Sequence, residues 1–198
     1  MSTTERSGGK TFRILLVSPV DQAMLGKDFY FRFPHLSLPT LAAHTPDGVE
    51  VDIADEKFRP VPDGRGYDLI GITAMTPLAP KAYRVADTYR QLGVPVIMGG
   101  YHPTVLPDEA LEHADSVCIG EAETLWPTIV ADAMAGRLQT RYRAETFPCL
   151  ENTPPPRRDL LPVPRSARFE HINLFFVQTT RGCPFRCSFC AVTSTRLP

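Results

Sequence analysis

Segments with the length and composition of buried strands alternate with helix-like segments along the first two thirds of this chain. The first, F-R-I-L-L-V from Phe12 to Val17, is largely apolar and ends at Ser18-Pro19. A strand that is apolar along its length is typical of a parallel sheet buried on both faces. Strands separated by helices are joined by right-handed crossovers. The pattern therefore predicts an α/β fold with a doubly wound parallel sheet.

Five strands and three helices are predicted in this region. The strands are Phe12 to Val17, Val49 to Asp55, Asp68 to Thr73, Val94 to Gly100 and Ser116 to Gly120. The helices are Leu36 to His44, about Ala79 to Leu92, and about Ala122 to Ala135. The segment V-E-V-D-I-A-D alternates apolar and polar residues, as expected for an edge or half-covered strand.

Four of the predicted strands run into loops with unusual composition. These loops read S-P-V, T-A-M-T-P, G-G-Y-H-P-T and G-E-A-E. In open parallel sheets, ligands bind outside the carboxyl ends of the strands. Glycines let a ligand approach the backbone, and hydroxyl groups can bond its polar groups. The joint arrangement predicts a ligand site at this edge. Glu121 and Glu123, at a predicted helix start, could be a catalytic carboxylate pair, but acidic residues in the first turn of a helix more commonly serve its dipole.

Three cysteines lie close together near the C-terminus, within R-G-C-P-F-R-C-S-F-C. They are Cys183, Cys187 and Cys190. Three thiolates can hold three irons of a four-iron cluster, whereas complete protein ligation of such a cluster takes four cysteines. The fourth iron would then stay open to a ligand from outside the protein.

This C-x-x-x-C-x-x-C spacing, with Phe189 before the last cysteine and Arg181-Gly182 before the first, resembles the motif of the radical S-adenosylmethionine (SAM) superfamily. The resemblance implies a 4Fe-4S cluster on the three cysteines, with SAM bound at the open iron and Phe189 at the cofactor. It implies reductive cleavage of SAM to a 5'-deoxyadenosyl radical. An electron donor such as flavodoxin or ferredoxin would serve as partner.

Other uses of these thiols have weaker support. A zinc site normally closes with four ligands, and His171 could be the fourth only if the chain folds back. A disulfide would leave one thiol over, and the start M-S-T-T-E-R-S-G-G-K lacks the apolar core of a signal peptide. These features favour the reducing cytoplasm. Cys118 lies in an apolar run, which is typical of a small core residue.

A second resemblance covers most of the chain. The segments G-G-Y-H-P-T-V-L-P-D-E-A-L and A-D-S-V-C-I-G-E-A-E-T-L-W-P are similar to the cobalamin-binding domain fused to many radical SAM enzymes. It implies a flavodoxin-like (Rossmann-like) domain over residues 1–145, a proline-rich linker over 146–170, and over 171–198 the first strand and cluster loop of a radical SAM barrel. The cobalamin contacts implied are Ser18, Thr73, Met75, Thr76, Gly99, Gly100, Tyr101, His102 and Glu121.

The sequence lacks the D-x-H-x-x-G motif with which other cobalamin proteins supply a histidine lower ligand. His102 stands instead in G-G-x-H-P, where the alternative role for a histidine is a hydrogen bond within its own turn. We therefore expect cobalamin to bind without a histidine ligand.

Length and composition add limits to function. The chain has 198 residues and a formal net charge of −1, which gives no reason to expect a broad electrostatic surface for nucleic acid. No apolar stretch approaches the roughly twenty residues that span a bilayer. A (β/α) barrel needs far more sequence than follows the cysteines. We expect the chain to be part of a longer enzyme and inactive alone.

Two classes of function follow. One is a cobalamin-dependent radical SAM enzyme acting on a small molecule, with methyl transfer to an unactivated carbon foremost and cyclisation or rearrangement next. The other is a module that binds cobalamin or a nucleotide without catalysis. The nucleotide version is disfavoured because S-P-V-D-Q, and not G-x-G-x-x-G, follows the first strand.

Overall fold

The structure is a computed structural model, and it describes residues 11–21, 34–63, 65–145, 148–161, 176–183, 185 and 187–190. The described part contains a six-stranded sheet in which every neighbouring pair of strands is parallel. The strands are β1 (Arg13–Ser18), β2 (Glu50–Asp55), β3 (Leu69–Thr73), β4 (Val96–Gly99), β5 (Ser116–Ile119) and β6 (Arg141–Arg143). Their spatial order is β2-β1-β3-β4-β5-β6.

Five α-helices within the described residues cover the sheet. They are α1 (Ser37–Ala43), α2 (Ala79–Gln91), α3 (Tyr101–Val105), α4 (Pro107–His113) and α5 (Trp126–Met134). Residues of α2 and α4 share a core cluster with one face of the sheet, and α1 and α5 share a second cluster with the other face. The predicted doubly wound, flavodoxin-like sheet is confirmed, because the order 2-1-3-4-5 is kept and a sixth strand extends it.

The strands distribute their side chains between two cores. In β1, Leu15 and Val17 join the cluster under α2, whereas Ile14 and Leu16 join the cluster under α1 and α5. All four side chains are fully buried. Side chains alternate across a strand, so a central strand needs apolar residues at every position. The unbroken run in the sequence is thus explained by burial on both faces.

Several boundaries differ from the prediction. Strand β6 was not predicted because R-Y-R is short and charged: only Tyr142 is buried, and the two arginines are exposed at the sheet edge. The predicted edge character of β2 is confirmed, since β2 lies at the other edge. Helix α5 begins at Trp126, four residues later than expected from Ala122, because a turn comes first.

The proline-rich stretch packs onto the domain over its described part, 148–161. The Arg157 N–H donates to the Pro39 carbonyl of α1 at 2.9 Å, and Leu160 and Leu161 pack against the core cluster under α1. The Arg158 guanidinium donates to the Phe176 carbonyl at 2.9 Å. Through this bond, the stretch holds Phe176 near the domain.

The predicted strand from Ile172 to Thr180 lies partly outside the described residues. Over Phe176–Thr180, which the structure does describe, the backbone belongs to no strand, so this part of the prediction is wrong. A strand of a barrel forms only when a neighbour supplies its hydrogen bonds. Among the described residues, no helix combines the length and apolarity that crossing a membrane requires.

Candidate cofactor-binding site

A cavity of about 140 Å³ opens at the carboxyl end of the sheet, on the face covered by α1 and α5. Its walls come from four neighbouring strands, from the loop after β5, and from both helices. The lining residues are Leu16, Ser37, Leu38, Leu41, Gly71, Ile72, Thr73, Ile97, Gly99, Gly100, Cys118, Gly120, Glu121, Ala122, Glu123 and Trp126. Strand β1 lies between β2 and β3, so the chain continues to one side of β1 after that strand and to its other side after β2. The cavity is lined by Leu16 of β1 and Thr73 of β3, so it includes the topological switch point at which such sheets bind ligands.

Glycines inside two strands line the cavity. A Cβ on Gly71 would lie 2.9 Å from Leu16 Cδ2 and 3.4 Å from the Trp126 ring. A Cβ on Gly99 would lie 3.7 Å from Cys118 Cβ, an ordinary contact distance. Glycine weakens a strand interior and often marks a place where another group approaches closely. Here both glycines belong to the wall of the cavity.

The cavity brings together four of the residues predicted to contact cobalamin: Thr73, Gly99, Gly100 and Glu121. Met75 and Tyr101 lie outside the cavity and are exposed, at 53% and 40%. They follow the carboxyl ends of β3 and β4, so both belong to the rim. We call Thr73, Met75, Thr76 and Tyr101 the rim residues.

Ser18 does not line the cavity. It is the last residue of β1, is 2% exposed, and its carbonyl accepts the N–H of Glu56 at 3.0 Å. The expectation that its hydroxyl faces a ligand assumed an open loop, whereas the structure encloses this end of the strand.

Gly100 is required by the backbone itself. Its φ is +94°, and a Cβ there would lie 2.7 Å from Thr73 Oγ1 and 2.9 Å from the Ala74 carbonyl. The segment G-G-Y-H-P-T, expected as a loop, turns at Gly100 into helix α3 at Tyr101. Thr104 in that helix accepts the N–H of Gly120 at 3.1 Å, so its hydroxyl joins the loops after β4 and β5.

His102 faces away from the cavity. Its side chain is 3% exposed; its Nε2 lies 2.6 Å from the Tyr83 hydroxyl of α2, and its Nδ1 lies 3.4 Å from Thr76 Oγ1. The Tyr83 hydroxyl also donates to Glu109 at 3.0 Å. Burial, together with the bond to Glu109, raises the pKa of Tyr83 above its ordinary value. Both ring nitrogens of His102 are therefore engaged within the protein.

Two carboxylates of the cavity wall hold an arginine from the cysteine motif. Arg181 Nη1 lies 3.1 Å from Glu121 Oε2, and Arg181 Nη2 lies 2.7 Å from Glu123 Oε1. The dipole role expected for the two glutamates is wrong, because α5 begins only at Trp126. Burial and the neighbouring Glu123 raise the pKa of Glu121, against the opposing effect of Arg181.

The three cysteines of the motif lie in the described residues, where none of them forms a disulfide. The Cys190 N–H donates to the Cys187 carbonyl at 3.1 Å, which closes a turn, and Phe189 within that turn is 91% exposed. Over the described ranges, no three side chains of the ligand-forming types are gathered as a metal site would need. The cluster ligands thus stay a prediction from the sequence.

Comparison with known proteins identifies the domain. The family described as "B12 binding domain" matches residues 24–130, more than half of the chain. The chain belongs to this family. The B12-binding domain so defined includes β2 to β5, with the rim residues and nearly all of the cavity wall.

The residues present fit such a ligand. Cobalamin is far larger than the cavity, so only a part of it can enter, beside Gly99, where the missing Cβ leaves room. The exposed rim residues Met75 and Tyr101 offer apolar surface to the remainder. The recognition of a cobalamin-binding domain from the sequence is confirmed.

Three curated relatives are named as two methyltransferases and a cyclase. "Bacteriochlorophyllide d C-8(2)-methyltransferase" of Chlorobaculum tepidum is 36% identical over 79% of this chain and 35% of its own length. "Bacteriochlorophyllide d C-12(1)-methyltransferase" of the same organism is 35% identical over 89% of this chain and 39% of its own length. "Anaerobic magnesium-protoporphyrin IX monomethyl ester cyclase" of Rubrivivax gelatinosus is 26% identical over 73% of this chain and 30% of its own length. The chain thus spans between 30% and 39% of the length of these relatives.

Sequence reasoning missed several parts of the B12-binding domain's cavity. Gly71 carried a usable signal, because glycine within a buried strand often marks close approach by another group. Trp126 and Leu38 carried none, since apolar helix residues form the core of every such domain. Cys118 was expected in the core and is 3% exposed, where burial raises the pKa of its thiol to about 12.

Proposed function

We propose that this chain is the cobalamin-binding part of a cobalamin-dependent radical SAM methyltransferase that acts on a small molecule. The observation that carries the proposal is the glycine-walled cavity at the carboxyl edge of a B12-binding domain, with the arginine of the cysteine motif at its acidic end. The names of the relatives support methyl transfer as the reaction.

We assign a role in this function to each group of residues. Gly99 leaves space for the inserted part of cobalamin, Gly71 lets Leu16 and Trp126 pack closely in the cavity wall, and the rim residues support the rest of the ligand. Three thiols in one short loop, Cys183, Cys187 and Cys190, suit three irons of a 4Fe-4S cluster and leave one iron for SAM. When bound, cobalamin supplies methyl-carrier chemistry, and the cluster with SAM supplies radical chemistry. A reduced flavodoxin or ferredoxin would supply electrons, in keeping with a cytoplasmic location.

Gly99→Val tests the cobalamin site, because the protein itself leaves room for a Cβ there. The branched side chain should enter the cavity and weaken hydroxocobalamin binding roughly ten- to hundredfold, as overpacking costs about 1–3 kcal/mol. Titration of the full chain, followed by absorbance, measures the affinity. Met98→Leu is the matched control, since it alters the neighbouring residue on the other face. Unchanged affinity in Gly99→Val would contradict the proposal.

Anaerobic reconstitution with iron and sulfide tests the cluster. The chain should take up about four irons with the visible absorbance of a cysteinyl iron-sulfur centre. Cys187→Ala should abolish the uptake, whereas Cys149→Ala, which changes an exposed cysteine outside the motif, should not. Uptake of stoichiometric zinc without iron would favour the zinc alternative instead.

A radical cyclase is the second candidate, and the cyclase among the relatives favours it. The two candidates share every residue described here and differ in the fate of the methyl group. Incubation of the whole enzyme with SAM carrying a labelled methyl group separates them, because only methyl transfer places the label in the product. If hydroxocobalamin does not bind at all, the module that binds a nucleotide becomes the better hypothesis.

A further inference from the structure

Arg181 joins two parts of the chain that are far apart in sequence. It stands two residues before Cys183, yet its guanidinium spans Glu121 and Glu123 at the end of the cavity, at 3.1 and 2.7 Å. Its side chain is only 10% exposed, as is that of Glu123. A planar guanidinium with two carboxylate partners is fixed in both position and orientation. The contact is thus more than an exposed surface pair.

The segment before the arginine is held as well. Arg181 Nε donates to Gln178 Oε1 at 3.1 Å, and the Phe176 carbonyl accepts from Arg158 of the packed linker at 2.9 Å. The backbone from Phe176 to Arg181 is therefore attached to the domain at both ends, although no strand contains it.

The carboxylates need the cation. Both line the cavity, and without a cation between them the negative charges of buried Glu123 and partly buried Glu121 would repel each other. Removing one partner of such a pair leaves an uncompensated charge, which costs more than the pair contributes. The end wall of the cavity is consequently shaped by a residue of the cysteine motif.

We propose that Arg181 is a positioning residue that holds the cysteine loop at the cavity, and we call its contact with Glu121 and Glu123 the latch. The placement of Cys183 and the occupancy of the cavity then depend on each other. The part of this proposal that concerns cobalamin rests on the proposed function. Linkage makes the dependence reciprocal: if the latch favours binding, binding favours the latch by the same factor.

Trypsin tests the latch without any cofactor, because it cleaves after an arginine that leaves its contacts. In the full chain, combining Glu121→Gln with Glu123→Gln should raise the cleavage rate at Arg181-Gly182 about tenfold, since bonds to charged groups contribute about 1.5–3 kcal/mol. Glu145→Gln, at an exposed glutamate, is the control and should leave the rate unchanged. An unchanged rate in the double variant, or an equal rise in the control, overturns the latch.

Arg181→Lys keeps the test decisive if the double variant does not fold. Lysine keeps the charge and the trypsin site but cannot span both carboxylates with a planar fork. Its cleavage rate, divided by that of the same variant unfolded in urea, should exceed the corresponding Arg181 ratio several-fold. Equal ratios overturn the bidentate latch.

Hydroxocobalamin tests the linkage. Arg181→Met should bind it about tenfold more weakly than the native chain, and Arg84→Met, at an exposed arginine of α2, should bind it normally. Saturating hydroxocobalamin should also slow cleavage at Arg181 in the native chain. Equal affinities of the two variants overturn the linkage while leaving cobalamin binding intact. A chain that resists trypsin as expected but binds no cobalamin overturns the proposed function and the linkage, and retains the latch.

Discussion

The two faces of the sheet are built from the same strands and have opposite properties. On the face under α2, Met98 is fully buried in a closed core. On the face under α1 and α5, the next residue in the strand is Gly99, and a cavity opens there. Side chains alternate across a strand, so one face can be filled while the other is left hollow. A single strand thus contributes to a filled core on one face and to a cavity wall on the other.

The polar groups differ in the same way. Beside the filled face, His102 contacts both Tyr83 and Thr76, and these two contacts fix α3 against α2 and the loop after β3. At the hollow face, Glu121 and Glu123 bond a residue from a distant segment. The first contacts join neighbouring helices and loops of the domain, and the second join the cavity wall to the cysteine motif.

Gly100→Val should have the largest effect and would show that this glycine belongs to the fold more than to the ligand site. Its positive φ and the 2.7 Å approach of a Cβ to Thr73 Oγ1 add backbone strain to overpacking, for a loss of about 4 kcal/mol in the free energy of unfolding. Urea unfolding measures this loss. The neighbouring Gly99→Val should lose far less stability. Equal losses would break the distinction between the two glycines.

Met98→Ala should come next and act only on the filled face. Removing a fully buried methionine side chain costs about 3 kcal/mol of unfolding free energy. The affinity of the folded chain for hydroxocobalamin should stay the same, in contrast with Gly99→Val. If Met98→Ala weakens binding as much as Gly99→Val does, the two faces are not independent.

Tyr83→Phe should have an intermediate effect. It removes the hydroxyl that lies 2.6 Å from His102 Nε2, which leaves a buried ring nitrogen without that partner, at a cost of about 1–2 kcal/mol. Stacking of ring 83 on His113 should survive the change, because only the hydroxyl is lost. Thermal unfolding measures the difference.

The contact between His102 and Tyr83 also predicts the electron paramagnetic resonance spectrum of bound cobalamin. Because His102 is turned toward Tyr83, bound Co(II) cobalamin should show no nitrogen coupling from a protein histidine in electron paramagnetic resonance. Nitrogen splitting that disappears in His102→Asn would contradict this orientation.

Glu121→Gln should have the smallest effect on stability, visible as a change in pH dependence. Burial and Glu123 raise the pKa of Glu121 above its ordinary value near 4.5. The folded chain therefore binds this proton more tightly than the unfolded chain, so the contribution is most favourable below pH 4.5 and is lost as pH rises through the raised pKa. Unfolding free energies across this range should fall less steeply in Glu121→Gln. An identical slope would contradict the raised pKa.

Local sequence predicted much of the sheet. The boundaries of β1 and β3 were placed within one residue, because their apolar runs end at distinct turns. Strand β6 and helices α3 and α4 were missed, since R-Y-R pairs only when β5 is already in place and proline-containing Y-H-P-T has the composition of a loop. The B12-binding family was recognised from short motifs, which report local chemistry and need no tertiary information.

The order of residues along the chain is enough to predict the parallel sheet, the ligand edge and the spacing of the cysteines, because each depends on residues that are neighbours in sequence. Which distant residues contact one another depends on the fold. It placed Gly71 opposite Trp126, turned His102 toward Tyr83, and brought Arg181 to Glu121. These contacts join residues 19 to 60 positions apart, so no local pattern encodes them. They follow from the packing of helices on the sheet, which sets the distances between segments that sequence leaves free.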